Sequence, residues 1–423
     1  MKKIVGKLQS YFTGQFLDQM LFIVSLIFCG MQIYSLTIDY LRYDVMESVS
    51  QQIQLFIEPP NFSLCFRILS IIDSEAIIDA HPNIRYYVEK FSRERGLGDW
   101  NRTSILNGNS IGPEIIYHHL TVAQIYQYVP PFNRSLEGCQ YLNSTLHMSK
   151  CDGTFFREYF FNRAFCYEFT WFPHEKNLER AYRFPFDGIK VPGFQNARFL
   201  ALYLNVTHLP FLTGISVSAH PPGQISWDPE AHTFEIGIED YEMKASGITY
   251  HKTTRQSLPH PYRSNCSDYS GSKFRSRQDC LQKCSVDRFI KRFGYYPRYA
   301  VVRHFDHYRL LYHSSVREKY QSFILELSKR CNHFCGNEEC ISQEYRLTQM
   351  YNPKQKNFLG KTVIIHIYPP TQPDSLVQTV PRLTFQYYFA SVGGTIGLWL
   401  GMSFYSLFTQ MLHFAPLIWK KIK

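Results

Sequence analysis

From Thr384 to Trp419 the chain runs 36 residues without an Asp, Glu, Lys or Arg. As one α-helix that run would be about 54 Å long, whereas the hydrocarbon core of a bilayer is about 30 Å thick. The segment is therefore tilted, extended beyond the membrane or broken, and its glycines mark where a break can fall. Gly393, Gly397 and Gly401 recur every fourth residue, so they share one helix face and admit another backbone at close range. Irregular backbone at membrane depth is tolerated only inside protein or along a water-filled cavity. A glycine face closing on Gly401-Met402-Ser403 points to a subunit-lined pore. The competing reading is a glycine-packed anchor.

A second apolar run, Met20 to Ile38, has 19 uncharged residues, enough to span once. It is too long for the apolar core of a signal peptide, and no small-x-small cleavage site closes it. Lys2, Lys3 and Lys7 precede this run, and Lys420, Lys421 and Lys423 follow the other. By the positive-inside rule both ends are cytoplasmic. The chain then divides into a cytoplasmic N-terminus (1–19), a first transmembrane helix (20–38), a large extracellular domain (39–383), a second transmembrane helix (384–419) and a cytoplasmic C-terminus (420–423).

The cysteines agree. Of eleven, Cys29 lies in the first span and the other ten lie in the large loop. An even number in an oxidising compartment implies a disulfide framework, although spacing alone leaves the connectivity open. Cys331-x3-Cys335-x4-Cys340 could hold zinc, but that compartment favours disulfides. Six Asn-x-Ser/Thr glycosylation sequons, at Asn61, Asn101, Asn133, Asn143, Asn205 and Asn265, all fall in the same loop. The net charge of +10 falls to about +5 once the basic tails are set aside. That is too diffuse for nucleic acid and better suited to an anionic inner leaflet.

The loop has no internal repeat or low-complexity linker and reads as one ectodomain. Residues 163–171, 197–206, 214–219 and 361–368 cluster or alternate β-branched and aromatic side chains and predict strands. Residues 279–292 predict a helix with Cys280 and Cys284 on one face. Residues 316–330 predict another, with Tyr320, Phe323, Ile324 and Leu327 in a stripe read as core packing. Cys331, Cys335 and Cys340 follow it, so the two helices look like a stapled pair. The region 74–127 mixes helical and loop signals without a clear order.

Together these landmarks resemble the degenerin/epithelial sodium channel family, which includes acid-sensing and pickpocket-like members. Gly393-Gly394-Thr-Ile-Gly397-Leu-Trp-Leu-Gly401-Met402-Ser403 is similar to its second transmembrane segment. Pro60-Asn61-Phe62-Ser63-Leu64-Cys65 resembles its Phe-Pro-x-Val-Thr-x-Cys, with Pro59 in place of Phe. Phe165-Cys166-Tyr167-Glu168-Phe169, Gly214-Ile-Ser-Val-Ser-Ala-His220 and Leu258-Pro-His-Pro261-Tyr262 resemble its palm strands and its Pro-rich approach to the thumb.

The resemblance implies an α+β membrane protein, a trimer with two transmembrane helices flanking a disulfide-rich extracellular domain with a β-sheet palm and a helical thumb. It pairs Cys65 with Cys166, Cys139 with Cys151, Cys266 with Cys340, Cys280 with Cys335, and Cys284 with Cys331. It implies an amiloride-sensitive, sodium-permeable plasma-membrane channel, built as a homo- or heterotrimer of related subunits and gated through the ectodomain. Gly401, Met402 and Ser403 would be its selectivity filter, where backbone and hydroxyl oxygens replace ion hydration. Ala390 takes the family's small-residue gating position, followed by Gly393, Gly394 and Gly397. No cofactor or metal is expected beyond the permeant Na+, and no enzyme motif is present.

Three departures stand out. Carboxylates usual along the pore segment are replaced by Ser391, Thr409 and Leu412, which implies low conductance, altered selectivity or a partner supplying the charge. The cytoplasmic His-Gly gating pair and a C-terminal Pro-Pro-x-Tyr motif are also missing. The alternatives are a poorly conducting accessory subunit, a non-channel two-span receptor, and, less favoured for its different cysteine layout, an ATP-gated purinoceptor-type channel.

Overall fold

A computed structural model of the chain describes residues 2–401 apart from 53–55, 58, 95–111, 143–147, 152, 162–163, 172–183, 186–198, 210, 222–232, 239–241, 270–272, 275, 298–299, 304–305, 311–313, 352–353 and 357–361. Met402, Ser403, Thr409, Leu412, Asn101 and Asn143 lie outside the described residues. Its contacts divide the chain into two units. The smaller comprises Met1–Ser48, Ser257–Cys266 and Gln378–Lys423; the larger comprises Val49–Gln256 and Ser267–Val377.

The larger unit is built on two sheets. In the first, β1 (Asn61–Arg67) lies between β4 (Ala164–Phe169) and β6 (Gly214–His220), antiparallel to both. β4 continues outward to β3 (Phe156–Phe161), and β6 to β7 (Thr233–Gly237). The second sheet centres on β8 (Glu242–Gln256), which runs antiparallel to β9 (Ile341–Tyr351) and parallel to β10 (Thr362–Ile367). From β10 it continues through β5 (Leu200–Asn205) to β2 (Leu136–Leu142).

Strict alternation explains the first sheet. Phe62, Leu64 and Phe66, with Phe165, Tyr167, Phe169, Ile215 and Val217, turn into the main apolar core. Their neighbours Asn61, Ser63, Glu168, Ser218 and His220 are polar and also buried. An alternating strand ordinarily has one wet face, but both faces of these strands are covered. The polar layer is satisfied internally. Glu168, only 1% exposed, accepts from Asn61 Nδ2 at 3.1 Å and pairs with Arg303 Nη2 at 3.5 Å; Ser63 Oγ meets His220 Nε2 at 2.8 Å.

Among the sequon asparagines, Asn61 is buried in this layer and its amide donates to Glu168. The sequon records a tripeptide and is blind to burial. Asn133 and Asn265 are exposed. Asn61→Gln is expected to leave the gel mobility of the glycosylated chain unchanged, whereas Asn265→Gln speeds it; a matching shift for both would contradict the buried placement.

Cys65 and Cys166 face each other across β1 and β4 and are bonded, as are Cys139 and Cys151. The predicted stapled pair consists of α1 (Arg277–Phe293) and α2 (Ser314–Cys335). Ser276 caps α1 by accepting from Asp279 N–H at 3.0 Å, and Gly294 closes it at φ +71°. The second helix runs past the expected end at Arg330, so Cys331 and Cys335 lie inside it, one turn apart like Cys280 and Cys284. The bridges Cys280–Cys335 and Cys284–Cys331 are therefore successive rungs between antiparallel helices. Phe323, Ile324 and Leu327, three of the four residues of the stripe read from the sequence, pack against Phe289 and Phe293; the side chain of Tyr320 lies outside the described residues. Cys266 and Cys340 are each disulfide-bonded, and Cys29 is free and buried.

Candidate permeation segment

In the smaller unit a long N-terminal helix, Lys2–Leu41 (the inner helix), packs against a C-terminal one, Phe385–Leu400 (the glycine helix). Within the first, Gln19–Leu41 is long and apolar enough to cross a membrane. It overruns the expected 20–38 at both ends because the helix continues through Asp39 and stops only near Tyr43, at φ +49°.

The glycine helix begins where Thr384 Oγ1 accepts from Tyr387 N–H at 3.2 Å. It ends at Gly401, whose φ is +65° and whose N–H reaches Gly397 O at 3.0 Å. The uncharged run is thus broken, and the break falls on a glycine. Only glycine adopts this left-handed conformation without a steric penalty. Sixteen helical residues cover about 24 Å.

Three contacts fix how the glycine helix is turned. Tyr388 stacks on Tyr40 at 4.6 Å, and its hydroxyl lies 2.9 Å from Thr37 Oγ1. Trp399 stacks on Phe28 at 5.4 Å and donates from Nε1 to Gln32 Oε1 at 2.8 Å. Thr395 is buried and bonds back to Ser391 O at 2.9 Å. At about 100° per residue, Tyr388, Thr395 and Trp399 lie within about 20° of one direction. On the same wheel Ala390, Gly393, Gly394 and Gly397 lie about 120–180° away. The small residues turn away from the inner helix. Ala390 and Gly394 are exposed, and a Cβ on Gly394 would meet nothing within 4 Å. Gly394 is therefore not there to pack this helix against its own chain.

Beside the 257–266 loop the unit carries a second arrangement that sequence reasoning did not find. Tyr262, on the 257–266 loop, meets Tyr43 edge-on at 5.8 Å; Tyr43 lies 5.8 Å from Tyr40, which stacks on Tyr388. Arg263 N–H donates to Tyr43 O, its guanidinium lies 3.8 Å from Asp44, and Arg382 N–H donates to Asp44 O. Four tyrosine rings thus run unbroken from the loop to the glycine helix. The aromatic residues are visible in the sequence, but their contacts span up to 348 positions, Tyr40 to Tyr388, and have no local signal.

The sequence profile of the amiloride-sensitive sodium channel family matches residues 13–409. The chain belongs to that family. No curated protein matches it. The family match agrees with the degenerin/epithelial sodium channel resemblance of the motifs. Membership makes the chain, in general terms, a sodium channel subunit of the plasma membrane; the family comprises ion channels, whose members assemble as trimers of related subunits. Among the described residues, no group of three His, Cys, Asp or Glu side chains is placed to hold a metal.

Proposed function

We propose that this family member is a pore-lining subunit of a trimeric, sodium-permeable, amiloride-blockable channel. Its two ends would be cytoplasmic, residues 39–383 extracellular, and Gly401-Met402-Ser403 its filter. The observation that carries this reading is the direction of the small-residue face. By helical periodicity Ala390, Gly393, Gly394 and Gly397 lie on the side away from the chain's own inner helix, Ala390 and Gly394 are exposed, and the helix stops at a left-handed glycine. An anchor packed by its glycines would turn them inward. A pore wall needs them outward, with non-helical backbone immediately below to offer oxygens to an ion.

The four-tyrosine chain is a natural route for gating from the ectodomain. A loop carried in sequence by the larger unit is part of the membrane-side unit by its contacts. Movement of Tyr262 would press on Tyr43 and reach the glycine helix at Tyr388. No acidic side chain occurs between Thr384 and Trp419, so cation attraction would rest on oxygens of this chain or on carboxylates of a related subunit.

The test is whole-cell recording of the full chain, alone and with related subunits, with and without Ala390→Val. A bulky residue on the outward face is expected to hold the pathway open and give an amiloride-blocked inward sodium current. Surface-expressed Ala390→Val protein that passes no current in any combination would sink the proposal.

A further inference from the structure

Gln32 is the only side-chain amide between Met20 and Ile38, an uncharged and largely apolar span. A polar group at membrane depth is expensive and usually has work to do. Its partner is specific: Gln32 Oε1 accepts from Trp399 Nε1 at 2.8 Å, across 367 residues of sequence. Phe28, one helical turn before Gln32, lies flat against the same indole with an interplanar angle of 14°. The indole is thus held on its edge by the amide and on its face by the phenyl ring.

Trp399 stands two residues before Gly401, where the helix ends. Among the described residues, only one other side-chain hydrogen bond joins the two helices, Thr37 to Tyr388, eleven residues up the glycine helix from Trp399. That distance is about 16 Å along the axis. Among the described residues, the filter end of the glycine helix has this one polar tie. Gly401 has no side chain with which to hold itself, and a Cβ there would meet nothing within 4 Å. A helix end with an open flank can rotate and slide unless an adjacent residue prevents it.

We propose that Gln32 is a positioning residue for permeation. By holding the Trp399 indole it sets the rotation and depth of the helix end at Gly401, and so the spacing of the oxygens that select the ion. The proposal rests on the channel reading above and extends it to a residue of the other helix. It assigns Gln32 no contact with the ion.

Gln32→Met keeps the length and apolar stem while removing the acceptor; Trp399→Phe keeps ring stacking while removing the donor. Interhelical hydrogen bonds in membranes are modest, so each variant is expected to lower the sodium-to-potassium permeability ratio by about three- to tenfold. The double variant should be no worse than either single one, since both remove the same bond. Reversal potentials would be measured at matched surface expression, in the Ala390→Val background. A ratio unchanged in both single variants would overturn the proposal, because a tie that merely aids folding changes protein amount and leaves selectivity alone.

A second readout needs no current and separates this proposal from the channel reading. Ser403→Cys would be labelled from outside with a charged thiol reagent, with and without Gln32→Met. A change in labelling rate of about threefold or more supports the positioning role even in a silent chain. Equal rates in a chain that carries no current would end both ideas.

Discussion

Gly401→Val is expected to abolish sodium current while the chain still reaches the cell surface. The reason is local. Gly401 sits at φ +65°, and an L-residue there costs about 1–2 kcal/mol, more for a β-branched one. A Cβ there would meet nothing within 4 Å, so the first penalty is backbone strain. The helix end relieves that strain by changing conformation, and the oxygens below it move. Gly401→Ala should fall between, and Gly401→Asn, which tolerates the left-handed region, should retain the most current. Gly394→Ala is the control. Gly394 is helical with open space beside it, and alanine there favours the helix by about 1 kcal/mol. Current lost in Gly394→Ala at full surface expression would report that another subunit's backbone packs on that face. Full current in Gly401→Val would remove the left-handed glycine from the permeation path.

The second large effect is expected where the two stapled helices are unlaced. Cys280–Cys335 and Cys284–Cys331 enclose 55 and 47 residues, and they are nested. With one bridge intact, the other closes a ring of only about ten residues, so removing either should cost about 2.7 kcal/mol. Removing both also opens the ring of about twenty residues closed against the remaining Cys266 and Cys340 bridge, and the loss rises to about 6 kcal/mol. Against a typical stability of roughly 5–15 kcal/mol, one loss is tolerable and two are not. Thermal unfolding of the purified full chain should show a lowered midpoint for Cys280→Ser/Cys335→Ser. The quadruple serine variant should fail to mature to the surface. A quadruple variant as stable as the parent would mean the helices are held by the Phe289, Phe323 and Leu327 cluster alone.

Much of this architecture is written in periodicity. Asn-Phe-Ser-Leu-Cys-Phe at 61–66 alternates cleanly and is a strand; Phe323, Ile324 and Leu327 form a helical stripe and pack as one. Other features are not local. The second thumb helix runs on through Cys331 and Cys335, and the matching four-residue spacing of Cys280 and Cys284 was the available clue. The burial of Asn61 against Glu168 depends on a strand about a hundred residues away, which a tripeptide motif cannot register. The meeting of Tyr262 with Tyr43, and of Gln32 with Trp399, depends on distant segments converging.

The charge-free run shows the same division of labour. Sequence alone determined that it was too long for one upright span, that it was tilted, extended or broken with glycines where a break could fall, and that Gly393, Gly397 and Gly401 share a face. Helical periodicity supplies only relative angles around an axis, however, and says nothing about which way the axis is turned. The tertiary contacts of Tyr388 and Trp399, with the burial of Thr395 between them, decided that: they commit one side to the inner helix and leave the small-residue side turned from it.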